Sequence, residues 1–175
     1  MKLYVIKIGG NVIDKESALE QFLTDFSRID GARILIHGGG GVATRIGEKL
    51  GLTPQYHNGR RITDRETLDV VTMVYGGLIN KQMTARLQAL GVNAIGLTGA
   101  DGNLLPATRR NPVPVDFGYV GDVKTGAVNV RLLQSLLEQQ AVPVLAPLTH
   151  SEGTMLNTNA DTIAASVAIA LSVYY

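Results

Sequence analysis

Two glycine-rich turns, each at the end of a short apolar run, are the parts of this chain best suited to chemistry. Lys7 comes just before Gly9 and Gly10, and four consecutive glycines occupy positions 38–41. Glycine lets the backbone approach a ligand closely and present bare N–H groups to it. Because a lysine ammonium accompanies the first turn, the two turns favour a phosphoryl group or a carboxylate over an apolar ligand. Lys7 alone would fit equally well a lysine that reaches water from the end of a strand.

Two further groups of polar residues extend this candidate site. Arg60 and Arg61 follow an Asn-Gly turn. Such a pair is most often solvated, but its position before a capped helix makes one arginine a candidate carboxylate clamp, worth about 1.5–3 kcal/mol. Asn157, Asn159 and Asp161 alternate ahead of a helix. One of the three can cap that helix, and the alternation directs the others elsewhere.

Short apolar runs that alternate with amphipathic helices must position these residues. Four runs predict buried parallel strands, at 3–8, 32–37, 92–98 and 142–145. Helical spacing predicts helices at 19–29, 42–50, 64–90, 129–140 and 160–172. Asp14 is the expected N-cap of the first helix, and Thr63 to Glu66 is the expected capping box of the third. Residues 53–62 predict a loop or hairpin, and 103–128 predict a short antiparallel excursion.

This alternation predicts an α/β fold with a mostly parallel sheet. Ligands of such sheets bind outside the carboxyl ends of the strands. Both glycine turns and the segments 99–102 and 157–161 lie at such ends or just beyond them, which defines one site. Gly76 and Gly77 interrupt the long helix, where each costs about 1 kcal/mol relative to alanine. We expect close packing against another helix or another subunit to offset that cost.

Composition excludes several classes of protein. The chain has 175 residues, which fits one domain, and its net charge of +1 with scattered aromatic residues argues against nucleic-acid binding. It has no cysteine, so disulfides and thiol catalysis are excluded. No apolar run approaches the ~18 residues of a membrane span, no signal peptide is visible, and a cytoplasmic location is expected. The histidines lack metal-ligand spacing, so no metal site is expected.

Taken together, the motifs resemble those of the amino-acid kinase family. The matching segments are Lys7-Ile8-Gly9-Gly10, His37-Gly38-Gly39-Gly40, the run Asn-Gly-Arg-Arg-Ile-Thr at 58–63 and the run Met-Leu-Asn-Thr-Asn-Ala-Asp at 155–161. Their order and spacing fit over the whole chain. Sister branches show Ser-Gly-Glu or Phe-Gly-Gly after the lysine, so this chain is most similar to the acylglutamate branch.

The resemblance implies a three-layer α/β sandwich and a reaction. MgATP would phosphorylate the side-chain carboxylate of N-acetyl-L-glutamate to an acyl phosphate, the second step of arginine biosynthesis. Lys7 would neutralise the transferring phosphoryl group, Gly10 would donate an amide to it, and Asp161 would orient catalytic lysines. Such chemistry needs positioning and charge neutralisation rather than covalent help.

The same resemblance assigns the substrate contacts. Gly39 and Gly40 would hold the substrate through backbone N–H groups, and Arg61 would pair with its α-carboxylate. Asn157 would hydrogen-bond the bound acyl amino acid, and Asn159 is assigned beside it. The family also forms homodimers, which would use the long helix.

One departure from the family changes what is expected of this chain. The family continues with a second half that binds most of the ATP and supplies another lysine, and the sequence stops before that half. Residues 1–175 are therefore expected to be the acylglutamate-binding N-terminal portion, which binds substrate with little turnover on its own. Two alternatives stay open: a kinase for N-succinylglutamate or a related acyl amino acid, and a non-catalytic module that binds acyl amino acids.

Overall fold

The computed structural model describes residues 2–175, which form an α/β sandwich around a parallel sheet. In chain order the elements are β1 (Leu3–Ile8), α1 (Gly10–Ile13), α2 (Glu16–Ser27), β2 (Ala32–His37), α3 (Gly40–Lys49), β3 (Gln55–His57), β4 (Arg60–Ile62), α4 (Arg65–Val71), a π-helical segment (Thr72–Ile79), α5 (Asn80–Ala89), β5 (Ala94–Leu97), a 3₁₀ turn (Asp101–Asn103), β6 (Ala107–Arg109), β7 (Gly121–Val123), a second 3₁₀ turn (Thr125–Ala127), α6 (Val130–Glu138), β8 (Val142–Leu145), β9 (Leu148–Ser151), β10 (Thr154–Asn157) and α7 (Ala160–Leu171).

The central sheet has the strand order β1-β2-β8-β5, and its neighbouring strands are parallel. Alternate residues of β2 enter different cores, since Leu35 belongs to one apolar cluster while Ile34 and Ile36 belong to the other. Helices α2, α4 and α5 cover the first face, and α6 and α7 cover the second. The predicted three-layer α/β fold is confirmed. The third predicted strand is shorter than expected because the Val92 N–H still bonds to Leu87, which closes the preceding helix.

Two predicted helix caps are wrong, and in each case the residue is engaged elsewhere. Asp14 ends the short α1 instead of starting α2, and its carboxylate bonds Arg45 at 3.0 Å. The long helix is capped by Asp64, whose carboxylate accepts the Thr67 N–H at 2.8 Å. Thr63, the predicted cap, is fully buried, and its carbonyl accepts the Tyr119 N–H at 2.7 Å.

The glycine pair of the long helix lies in its π-helical segment. A Cβ on Gly76 would lie 3.2 Å from Thr98 Cγ2 and 3.3 Å from Leu148 Cδ1. Gly76 therefore lets the helix pack closely against the carboxyl edge of the sheet within the same chain. A Cβ on Gly77 would meet no atom of the described residues within 4 Å.

Three antiparallel hairpins extend from the carboxyl edge of the sheet. The β3–β4 hairpin and the β6–β7 excursion were predicted, whereas β9–β10 was not. Isolated backbone bridges join these hairpins, including Thr63 to Gly118 and Val120 to Asn157. Because of these bridges, the polar segments that follow the strands are held together at one edge. Within residues 2–175, none of the helices has the length and apolar character needed to cross a membrane.

His37 ends β2 and is fully buried directly behind the second glycine turn. Its Nδ1 lies 2.7 Å from the Gly38 carbonyl oxygen, which can only accept, so Nδ1 carries the proton. Its Nε2 accepts from Asn80 Nδ2 at 3.3 Å. Burial lowers the pKa of His37 to about 4, opposed only in part by the bond to Gly38.

The neutral state of His37 predicts a loss of stability in mild acid. The folded pKa lies below the unfolded value, so below about pH 6.5 the unfolded chain takes up a proton that the folded chain does not. The resulting stability is present above pH 6.5 and disappears as the pH falls towards 4. Urea unfolding should show a loss of about 2 kcal/mol between pH 7 and pH 5 that His37→Gln lacks. Exposed His57 is the matched control, and His57→Gln should lose as much as the wild type. Equal losses in wild type and His37→Gln would contradict this account.

Candidate active site

The eight residues to which the resemblance assigns roles line one cleft at the carboxyl edge of the sheet. Its volume is about 290 Å³. The eight are Lys7, Gly10, Gly39, Gly40, Arg61, Asn157, Asn159 and Asp161. They come from the ends of β1, β2 and β10, from β4 and from the first turn of α7. The turn at 99–102, which was predicted to share this site, does not line the cleft, and its Asp101 carboxylate instead accepts from Thr98.

The two glycine turns touch because β1 and β2 are neighbouring parallel strands. Ile8 lies opposite His37 in their register. The Gly38 N–H donates to the Ile8 carbonyl at 2.9 Å, and a Cβ on Gly38 would lie 3.8 Å from the Gly10 nitrogen. Two short sequences separated by almost thirty residues thus form one continuous surface of backbone.

The glycines of the second turn serve different purposes. Gly39 has φ +147°, and a Cβ there would overlap Ile79 Cδ1 and lie 3.3 Å from the Tyr75 ring. Gly40 opens α3, and a Cβ on it would meet no described atom within 4 Å. Gly39 is therefore required by the fold itself, whereas Gly40 borders the open space of the cleft.

Arg61 is fixed against the second glycine turn. Its Nη2 donates to the Gly40 carbonyl at 3.0 Å and to Thr44 Oγ1 at 2.7 Å. The guanidinium lies over the ring of Tyr56, 5.0 Å from the centroid. The guanidinium has five N–H donors, and these two bonds use only some of them. Further N–H groups therefore remain for an anion in the cleft.

Lys7 and Asp161 form an ion pair at the first glycine turn. Lys7 Nζ lies 3.0 Å from Asp161 Oδ1, and the two side chains are 27% and 70% exposed. A pair this exposed contributes little to stability. Its effect is to hold the ammonium beside Gly9, where a Cβ would lie 3.5 Å from Nζ.

The two asparagines are oriented by different contacts. Asn157 Nδ2 donates to Thr63 Oγ1 at 3.0 Å, and its backbone N–H donates to the Tyr119 carbonyl at 2.9 Å. Asn159 Oδ1 accepts the Thr162 N–H at 3.0 Å and caps α7. Asn159 is thus the cap among the alternating polar residues, while Asn157 keeps its Oδ1 for another donor.

Several residues that line the cleft were missed by the sequence analysis, and Tyr75 and Arg110 are the two with ionisable side chains that bear on its chemistry. Tyr75 lies in the apolar middle of the long helix, where its sequence context did not distinguish it from a core residue. Burial raises the pKa of its phenol, despite the opposing effect of nearby Arg61. Arg110 lies in the excursion and forms an ion pair with Asp122. The Arg-Arg pair at 109–110 was the available signal for it. Among residues 2–175, no group of three or more His, Asp or Glu side chains is arranged to hold a metal ion.

Comparison with known proteins identifies relatives of this chain in sequence and in fold. A profile of the amino acid kinase family matches residues 2–174. The acetylglutamate kinase of Parabacteroides distasonis is 57% identical over 175 residues, covering 99% of this chain and 68% of that protein. The acetylglutamate kinase of Phocaeicola vulgatus is 57% identical over 172 residues, covering 98% of this chain and 66% of that protein.

A solved structure shows the same architecture. The Streptococcus mutans protein smu.665 superposes with a TM-score of 0.79 at 29% identity, covering 97% of this chain and 69% of that one. The chain belongs to the amino acid kinase family. The resemblance seen in the sequence is therefore confirmed, and membership implies a kinase with ATP as co-substrate. The chain spans about two thirds of the length of the curated relatives it matches.

The different surroundings of Gly39 and Gly40 predict different effects of the same substitution. Gly39→Ala should lower the free energy of unfolding by about 2–4 kcal/mol, because it combines a strained φ with an overlap against Ile79. Gly40→Ala is the matched control and should stay within about 1 kcal/mol of the wild type. Urea unfolding followed by circular dichroism measures both. Similar stability of the two variants would contradict the distinction.

Proposed function

We propose that this chain is the substrate-binding portion of a kinase that phosphorylates the side-chain carboxylate of N-acetyl-L-glutamate, the second step of arginine biosynthesis. One observation carries the proposal. The cleft presents two cations at separate glycine turns, Lys7 at the first and Arg61 at the second, which suits a ligand with two carboxylates. The names of the relatives from Parabacteroides distasonis and Phocaeicola vulgatus support the identity of that ligand.

The α-carboxylate binds at the second glycine turn. Arg61 is anchored there by the Gly40 carbonyl and Thr44, so its free N–H groups need little reorganisation to donate to a carboxylate. The backbone N–H groups of Gly39 and Gly40 add neutral donors. Gly40 has open space where a side chain would be, which gives the ligand room.

The reacting carboxylate lies at the first glycine turn. One of its oxygens attacks the γ-phosphorus of ATP, the bond from that phosphorus to the β–γ bridging oxygen breaks, and the products are an acyl phosphate and ADP. A carboxylate nucleophile has no proton to lose, so no general base is needed. Lys7 neutralises charge on the transferring group, and the Gly10 N–H donates a hydrogen bond to that group. Asp161, 3.0 Å from the Lys7 ammonium, orients the lysine.

The asparagines bind the rest of the substrate. The Asn157 Nδ2 bond to Thr63 leaves the Asn157 Oδ1 to accept the amide N–H of the acylated nitrogen. The Asn159 Oδ1 is occupied by its own helix, which leaves the Asn159 Nδ2 as a donor. Asn157 therefore offers the ligand an oxygen acceptor and Asn159 offers it an N–H donor, which together orient an acylated amino acid.

The nucleotide is bound largely outside this portion. The chain spans about two thirds of the length of its relatives, and the cleft residues described here suit the substrate and the transferring phosphoryl group. We propose that Mg²⁺ is held by the nucleotide phosphates and water, as this cation commonly is.

We also propose a homodimer and a cytoplasmic location. The π-helical segment exposes Met73 and Leu78, 57% and 41% accessible, beside the open face of Gly77. An exposed apolar face of this kind suits a second copy of the chain. Sedimentation velocity that gives a monomer at micromolar concentration would refute the dimer.

The proposed cytoplasmic location follows from the use of ATP in biosynthesis, and cell fractionation tests it.

The proposed division of labour predicts binding without turnover. Calorimetry should detect N-acetyl-L-glutamate binding to the 175-residue chain, while unacylated L-glutamate binds more weakly because it lacks the acyl amide. A coupled ADP assay should give little or no turnover with this chain and clear turnover with the product of the complete reading frame. Binding without turnover by the complete product would favour the non-catalytic module, and absence of binding would refute the proposal.

Replacement of Lys7 separates catalysis from binding. In the product of the complete reading frame, Lys7→Ala should lower kcat by at least ~100-fold, comparable to removal of an oxyanion donor. The KM for N-acetyl-L-glutamate should change far less, because the α-carboxylate contacts remain. Exposed Lys15 provides the control, and Lys15→Ala should keep the wild-type kcat. A Lys7→Ala variant with near wild-type kcat would overturn the role given to Lys7.

A further inference from the structure

The cleft has a third side that the two carboxylates of N-acetylglutamate leave unexplained. An N-acylglutamate has three arms: the α-carboxylate, the side-chain carboxylate and the acyl group. The glycine turns take the first two arms. Arg60, Arg110 and Val120 also line the cleft, and the backbone N–H of Arg110 donates to the Val120 carbonyl at 2.8 Å. We assign these residues to the third side.

Arg110 is held in a defined position on this third side. Its side chain is only 21% exposed, and its Nε lies 3.1 and 3.2 Å from the two carboxylate oxygens of Asp122. The guanidinium lies 5.4 Å from the centroid of the Phe117 ring. The bonds to Asp122 engage Nε and Nη2, so the N–H groups of Nη1 are available to a second acceptor.

The cleft does not end at this arginine. Arg60 and Arg110 also line an adjoining open groove of about 390 Å³, between the β3–β4 turn and the excursion. His57, Asn58 and Phe117 form part of its walls. The methyl of an acetyl group needs neither this length nor these charges. A longer acyl group with a polar end would use both.

We propose that Arg110 contacts the acyl arm and that the site accepts N-acylglutamates whose acyl group ends in a carboxylate. This inference rests on the proposed function, since it extends the same substrate site. Arginine suits the task because its planar fork binds a carboxylate with defined geometry. Arg60 adds positive charge along the same path. Arg110 is then the residue that discriminates between charged and neutral acyl groups.

The test separates the charge of the acyl group from its length. Calorimetry on the 175-residue chain compares N-acetyl-, N-butanoyl- and N-succinyl-L-glutamate, because butanoyl has the same four carbons as succinyl without the carboxylate. We expect the wild type to bind the succinyl ligand at least about tenfold more tightly than the butanoyl ligand. In Arg110→Gln that ratio should fall at least about tenfold, and in Arg110→Lys it should be intermediate. Arg109→Gln removes the neighbouring charge, which does not line the cleft, and should keep the wild-type ratio.

The outcomes distinguish this inference from the function on which it rests. Binding of the acetyl ligand with no preference for succinyl over butanoyl overturns the role of Arg110 and leaves the proposed function standing. A succinyl-to-butanoyl affinity ratio that is unchanged in Arg110→Gln also overturns the role of Arg110 and leaves the proposed function standing. Failure of all three ligands to bind overturns both. Should Arg110→Gln not fold, the ratio in Arg110→Lys decides, and a wild-type ratio there counts against the role.

Discussion

The parallel pairing of β1 with β2 is the constraint on which the rest of the site depends. Their register sets Ile8 opposite His37, and the hydrogen bond from the Gly38 N–H to the Ile8 carbonyl ties the two glycine turns together. A shift of one residue would exchange the two faces of the strand and separate the turns. Buried His37 braces the second turn from behind, while Gly39 lets it pass close to the long helix.

The hairpins complete the site by bringing side chains to this backbone surface. The β3–β4 hairpin carries Arg61 back onto the glycine turn that ends β2, and the backbone bridge from Val120 to Asn157 joins the excursion to the β9–β10 hairpin. The sheet thus supplies N–H groups, and the hairpins supply cations and amides. Both kinds of group meet in one cleft because the hairpins leave the same edge of the sheet.

The sheet and the meeting of the eight candidate residues at its carboxyl edge could be predicted from the sequence, because local patterns determine both. Three of the four strands have the predicted bounds, since short β-branched apolar runs bounded by glycine have few other uses. The eight site residues meet because the carboxyl ends of parallel strands share an edge. The wrong or missed predictions concern residues whose contacts lie far away in the sequence. Thr63 does not cap its helix because residues 118 and 119 pair with it, and Tyr75 lines the cleft only because the long helix passes beneath Gly39. No local pattern reports such contacts.

The ion pair between Lys7 and Asp161 joins the first strand to the last helix of the described chain. An ion pair between residues so far apart in the chain cannot form until both have been synthesised. While the ribosome is still adding β9 and β10, Lys7, the glycines and Arg61 already exist, but their acidic partner at position 161 does not. Long-range closure of this kind is slow compared with helix formation. A nascent chain therefore completes the Lys7 side of the cleft only after the first turn of α7 has been synthesised.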